Sequence, residues 1–267
     1  MKKLLALVLT LCLALGVSLA SAETFKMGID PEYDPFSYMG NDGDYTGFDV
    51  AVCKAACELA GLEWEAVPVD WDFKLQMLDA KDVDCVWSGM TIKQSMIDAG
   101  YVLSAPYYES WQVLVVRADS GIETSADLAG KVVAVQLGTS GQDLLEGDLT
   151  DLSSTFSALT TLSSFNLCFK ELEGNAADAV FVDFPVAEKY VAEHPELKIL
   201  DEKLGFEEYG ICFRKDDTEL CKKIEDAVAE LVASGKYAEI AAEYPNIVDN
   251  LILNGNIQKR PTTPVYL

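Results

Sequence analysis

The sequence predicts an α/β protein of two lobes built on mostly parallel sheets. Three observations carry this expectation. Short apolar runs alternate with helical stretches along nearly the whole chain, the pattern of strand–helix–strand units. The runs end in small or polar residues, as at Ser88-Gly89, Gly138-Thr139 and Asp183, which leaves polar groups free to face a crevice. The chain also turns at Ser104-Ala105-Pro106-Tyr107-Tyr108, between two sets of such units. Residues 83–113 therefore end one lobe's sheet and carry the chain across to the other lobe.

In the first half, Thr24 to Ile29 alternates with Phe25, Met27 and Ile29 on one face, a strand. Asp30 to Phe36 follows as a loop, and Asn41-Asp42-Gly43 marks a turn. Asp49 to Ala60 is a helix stopped by Gly61. Leu62 to Val69 is a strand, Asp70-Trp71-Asp72 leads into a short helix from Phe73 to Ala80, and Val83 to Trp87 is a buried strand. The second half opens with a strand at Trp111 to Arg117 and a capped turn at Ser125 to Leu128. A strand at Lys131 to Gln136 and a helix at Gln142 to Glu146 follow. Residues 147–155, acidic and polar, read as a surface loop. A helix at Ser164 to Leu172, a strand at Ala177 to Val182 ending at Asp183, a helix at Pro185 to His194 and a strand at Leu197 to Leu200 complete that half.

Tyr209 to Arg214 is a strand suited to return to the first lobe. Asp217 to Ala233 has the clearest helical pattern in the chain, with Leu220, Ile224, Val228 and Leu231 on one stripe and Gly235 after it. Lys236 to Tyr244 is a last helix, stopped by Pro245. No internal repeat of fixed period is present.

Composition narrows the function classes. Met1 to Ala22 has the form of a secretory leader, with Lys2 and Lys3, an apolar stretch from Leu4 to Leu19, and Ala20-Ser21-Ala22 as the cleavage site. As a membrane span the stretch is short and ends in small residues. As a lipoprotein site, Leu9-Thr10-Leu11-Cys12 has a bulky Leu before the Cys. The formal net charge of −24 excludes a nucleic-acid or anionic-lipid partner. Six cysteines follow the leader, with no CxxC and with His194 as the one histidine, which argues against a zinc site and against Ser-His-Asp or Cys-His catalysis. Disulfides remain open after export, but the spacing does not say which. Cys53 and Cys57, four apart on a helix, suit small core positions.

Eight stretches in order, GIDPEYDPF, TGFDVAVCKAA, VDWD, DCVWSGMTI, SAPYYES, VVAVQLGTSGQDL, DAVFVDFPVA and YGICFRKDD, resemble the family 3 extracellular solute-binding proteins that serve ABC importers of amino acids. The resemblance implies a two-lobed periplasmic-binding-protein fold of type II. Two crossover strands would join the lobes near Tyr108 to Trp111 and near Gly205 to Tyr209. Lobe 1 would comprise 23–109 and 206–267, and lobe 2 would comprise 110–205. A monomer working outside the cell membrane with an ABC permease is implied, with no cofactor and no metal.

The resemblance also implies site residues. Asp183 would bind a ligand ammonium, or cap the helix that follows it. Asp30 would line the pocket, or serve as a turn aspartate. Ser88, Gly89 and Thr91 would hold the ligand from lobe 1, with Met90 facing core or pocket wall. Thr139 and Ser140 would offer donors to a ligand carboxylate from a helix start. Tyr33 and Trp71 would clamp the ligand. One departure stands out: the family pattern SGMTITPER carries an Arg for the ligand carboxylate, and this chain reads SGMTIKQSM with Met96 in its place. Either Lys93 or a donor from lobe 2 replaces it, or the ligand differs at its carboxylate end. An amine, an amide or a cationic ring would suit carboxylates and aromatic faces together. The other function classes are a sensor that presents the filled cleft to a receptor, and a dehydratase-like enzyme on the same fold.

Overall fold

The computed structural model describes residues 23–253, so the leader expected at 1–22 lies outside the described residues. Two sheets organise the chain. The first is built from β1 (Thr24–Ile29), β5 (Glu63–Pro68), β6 (Cys85–Val86), β7 (Val102–Leu103) and β14 (Cys212–Phe213), in the order β5-β1-β6-β14-β7. Strand β1 pairs in parallel with β5 and β6, while β14 runs antiparallel to β6 and β7. The second sheet has the order β10-β9-β11-β8-β12, from β8 (Tyr108–Arg117), β9 (Val132–Gln136), β10 (Ala158–Leu162), β11 (Ala179–Asp183) and β12 (Leu197–Ile199). Strands β9, β10 and β11 are parallel, and β8 is antiparallel to β11 and β12.

Two strands run between the sheets. The ten-residue β8 pairs its first half with β13 (Phe206–Tyr209) and its second half with β11 and β12. Tyr108 on β8 and Tyr209 on β13 stack at 5.3 Å between ring centroids, and Phe36 meets both edge-on. This aromatic cluster makes the apolar core continuous from one layer to the other. At this crossing the chain departs from expectation. The single strand expected at 209–214 is two, broken at Gly210-Ile211. Gly210 N–H donates to Met90 O and Ile211 N–H to Ser104 Oγ, so the backbone leaves one ladder for the other.

The longer helices cover the sheets through their apolar faces. Helix α1 (Phe48–Ala60) ends where Gly61 takes the left-handed conformation at φ 66°. Lys74–Asp79 (α2) and Gln94–Asp98 (α3) are short, and Met96 on α3 is buried with Val69, Leu78 and Met90. The second sheet carries α4 (Ser140–Glu146), α5 (Thr150–Ser153), α6 (Phe165–Glu173) and α7 (Phe184–Glu193). Helix α8 (Thr218–Ser234) buries Cys221, Ile224, Ala227, Val228 and Leu231 and packs on α1, returning the end of the chain to the first sheet. Each Ile or Leu buried there contributes about 1.5–3 kcal/mol. The short α9 (Lys236–Ala241) follows after Gly235.

Several short elements were not expected. Glu32–Tyr33 (β2), Ser37–Met39 (β3) and Tyr45–Thr46 (β4) form a small three-stranded sheet, with β2 inside the loop expected at Asp30 to Phe36 and β3 and β4 on either side of the turn expected at Asn41-Asp42-Gly43. Helix α5 lies within the expected surface loop at 147–155. Strand β10, a half-exposed edge rich in Thr, lacks the apolar run that marks a strand. All six cysteines among the described residues are buried and unpaired. No helix among the described residues is long and apolar enough to cross a membrane.

Candidate functional site

Four strand ends converge between the sheets. Asp30 follows β1, Ser88-Gly89 follows β6, Gln136 ends β9 and Asp183 ends β11. In parallel sheets this edge is where ligand crevices form. The two sides touch through side chains. Gln136 Nε2 donates to Asp30 Oδ2 at 2.7 Å, and Tyr33 OH donates to Asp183 Oδ2 at 2.8 Å. Outside the crevice, Lys74 Nζ donates to Gly138 O at 2.7 Å, and Lys93 pairs with Asp143 at 2.6 Å.

These groups enclose a narrow cavity. The first sheet's side contributes Asp30, Tyr33, Trp71, Gly89 and Thr91, and the opposite side contributes Gln136, Thr139, Ser140, Phe165 and Asp183. The space left to a water's centre is about 10 Å³, room for about one water molecule. A ligand of amino-acid size enters only if the two sides separate. Gly89 is required where it stands. Its φ is 55°, and a Cβ there would lie 2.2 Å from the Tyr33 ring.

Eight of the ten residues expected from sequence line this cavity, and two do not. Ser88 lies behind the wall, its hydroxyl accepting from Asp30 N–H at 3.1 Å and touching Ser37 Oγ. Met90 packs into the first sheet's core with Val69, Trp71 and Leu78. Lys93, weighed as a substitute for the missing Arg, is held by Asp143 outside the cavity. Asp183 stands at the N-cap position of α7 but makes no side-chain cap bond, so its carboxylate is left to the crevice. Asp30 plays two parts: Oδ1 accepts from Glu32 N–H as a turn aspartate, and Oδ2 faces Gln136. Thr139 caps α4, accepting from Gln142 N–H while donating to Gln136 O.

The structure adds residues that sequence reasoning missed. Glu207 on β13 is buried and accepts from Thr91 Oγ1 and Ser140 Oγ, each at 2.8 Å. Gln112 on β8 spreads its amide between Glu207 and Asp183. Tyr209 OH lies 2.8 Å from Tyr33 OH and 3.2 Å from Glu207 Oε1. A polar Gln closing the apolar VVAVQ, and another inside WQVLVV, were the available signals.

The site is acidic and without a cation of its own. None of its lining residues is Lys or Arg. Burial raises the Asp183 carboxyl well above its usual range, and the Glu207 charge beside it adds to the shift. Burial also raises Asp30, against the lowering effect of the Gln136 hydrogen bond. Lys74 lies outside, its amine 4.8 Å over the Trp71 ring and lowered by burial to about 7. The one histidine, His194, contacts Glu173 and Glu196, and none of the three lines the crevice. Beside its hydroxyls and the Gln136 amide, the crevice offers carboxylates and aromatic faces.

Comparison with known proteins agrees with this architecture. A profile of bacterial extracellular solute-binding proteins, family 3, matches residues 25–246. The arginine-binding extracellular protein ArtP of Bacillus subtilis is 32% identical, over 91% of this chain and 98% of its own length. The L-cystine-binding protein TcyJ of Escherichia coli is 30% identical, over 83% and 82%. Among solved structures, a histidine-bound ABC uptake transporter substrate-binding protein from Streptococcus pneumoniae superposes with a TM-score of 0.79 at 28% identity, covering 83% of this chain and 92% of that one. The chain belongs to the bacterial extracellular solute-binding proteins of family 3.

Proposed function

We propose that this protein captures a small solute bearing an ammonium group in the crevice between its lobes and delivers it to an ABC permease. Capture of a solute outside the membrane for an importer follows from the family. The ammonium, the permease contact and the monomeric state are the proposal. One observation carries it: Asp30 and Asp183 line the same narrow cavity, and no cationic side chain lines it with them. Two buried carboxylates so placed are costly until a cation joins them. The relatives named for arginine and histidine handle solutes with amine groups, which is consistent with this reading. Asp30, Tyr33, Trp71, Gly89, Thr91, Thr139, Ser140 and Asp183 are proposed as the contact set, with Ser88 and Met90 shaping the turn behind it.

The lobes are proposed to divide within β8 and just before β13, as 23–109 with 206–253 against 110–205 among the described residues, so that closure is a rotation about two paired strands; residues 254–267, expected with the first lobe, lie outside the described residues. Binding and closure need no covalent step, and no catalysis is proposed.

Calorimetry on the purified protein tests the proposal with cationic amino acids, diamines, neutral sugars and dicarboxylates. Binding of an amine-bearing solute is expected. Binding of a sugar or a dicarboxylate with no amine bound would overturn it.

A further inference from the structure

We infer that Glu207 occupies the place of a ligand carboxylate, so that the crevice selects amines that lack a carboxylate of their own. The inference rests on the ammonium reading above and names the substrate class within it.

The alternation of β13 aims Glu207 and Tyr209 inward, while Phe206 faces solvent. Both oxygens of the carboxylate are engaged. Oε2 takes the Thr91 and Ser140 hydroxyls, one from each side of the crevice. Oε1 lies 3.1 Å from Gln112 Nε2 and 3.2 Å from Tyr209 OH. Two hydroxyls and an amide converging on one carboxylate make a carboxylate-binding site, already filled by the chain itself. A ligand carboxylate arriving there would find the hydroxyl protons committed and a like charge in contact.

The groups left over point the other way. Gln136 lines the cavity, is 1% exposed, and its Oε1 has no hydrogen-bond partner. An acceptor buried in that state calls for a donor. Asp30 and Asp183 are likewise acceptors, and Tyr33, Trp71 and Phe165 present ring faces and edges. Among these side chains the unmet demand is for N–H donors and positive charge. A primary amine, a diamine or a guanidine without a carboxylate meets it.

Matched pairs that differ only in the carboxylate test this: arginine with agmatine, lysine with cadaverine, histidine with histamine. Each is titrated by calorimetry into the wild-type protein and into Glu207→Gln. The wild type is expected to bind the decarboxylated member of at least one pair tenfold or more tightly than its amino acid. Glu207→Gln, which removes the charge and keeps the shape, is expected to shrink that preference at least tenfold. The wild-type comparison stands alone if the variant does not fold. An amino acid bound as tightly as its decarboxylated partner would overturn the role of Glu207 and leave the ammonium reading intact. Binding of neither member of any pair would sink both.

Discussion

Asp49 and Asp183 are the same residue in similar burial, and the protein puts them to opposite uses. Asp49 lies in the first turn of α1, inside the first lobe. Its Oδ2 accepts from Gly89 N–H at 2.8 Å and from Tyr107 OH at 2.6 Å, both belonging to that lobe's layer. It ties α1 to the turn that lines the crevice and to the start of β8. Asp183 lies in the crevice, where Tyr33 reaches it from the opposite side, the Gln112 amide donates to it, and Glu207, another acid, stands beside it. A buried carboxylate met only by donors is a strut. One with a second acid beside it is a cost held in reserve until a cation arrives.

The contrast is most exposed by Asp49→Ala. It strands the Gly89 N–H and the Tyr107 hydroxyl and is expected to cost about 3 kcal/mol. The melting temperature should fall by roughly 6–12 °C, by the same amount with and without ligand. An unchanged melting curve would break the strut assignment.

Asp183→Asn should do the reverse. The unliganded protein should melt no lower than wild type, because a repelled charge is removed. Amine affinity should fall ten- to a hundredfold by calorimetry, about 1.5–3 kcal/mol. A drop in unliganded stability to match Asp49→Ala would erase the distinction between the two sites.

Acidity sharpens the comparison in a further way. Burial raises the folded-state pKa of Asp49 from 3.8 to about 7. The folded protein then binds this proton more tightly than the unfolded chain does. Its stabilising contribution is complete below pH 3.8 and is lost as the pH rises to about 7. Asp30 and Asp183 are raised in the same direction. Melting temperature against pH should therefore decline across this window. A bound amine should cancel the share of Asp30 and Asp183 and leave that of Asp49, and amine affinity should rise with pH. A ligand-bound curve parallel to the unliganded one would contradict this.

The smallest effect belongs to the rim. Lys93→Ala removes an ion pair with an exposed Asp143 and should change affinity by about 1 kcal/mol or less, diminishing with salt. A loss as large as that of Asp183→Asn would place Lys93 in the site after all.

How much of this was legible in the chain follows from backbone periodicity. The alternation of strands and helices, the polar strand ends and Gly61 and Gly235 as helix stops could all be read from local pattern. The motif Ser88-Gly89-Met90-Thr91 could be located but not sorted. Its residues alternate in direction, so Gly89 and Thr91 line the crevice while Ser88 and Met90 turn away. Glu207 was hidden because the strand that carries it breaks at Gly210, where two ladders meet, and a break of that kind depends on partners far along the chain. Strands β2, β3 and β4 are two or three residues long, too short to show a period.

The six buried thiols supply a clock. Burial pushes Cys53 and Cys85 well above the ordinary thiol range, and Cys168, Cys212 and Cys221 to about 12, so the reactive thiolate is scarce while the fold is intact. A thiol reagent or an oxidant gains access only when the surrounding layer breathes. The cysteines are also unevenly shared. Cys168 on α6 sits against the second sheet, and the other five lie in the layers of the first. Mass spectrometry after timed alkylation would thus record the opening of each half of the molecule separately, with no label introduced.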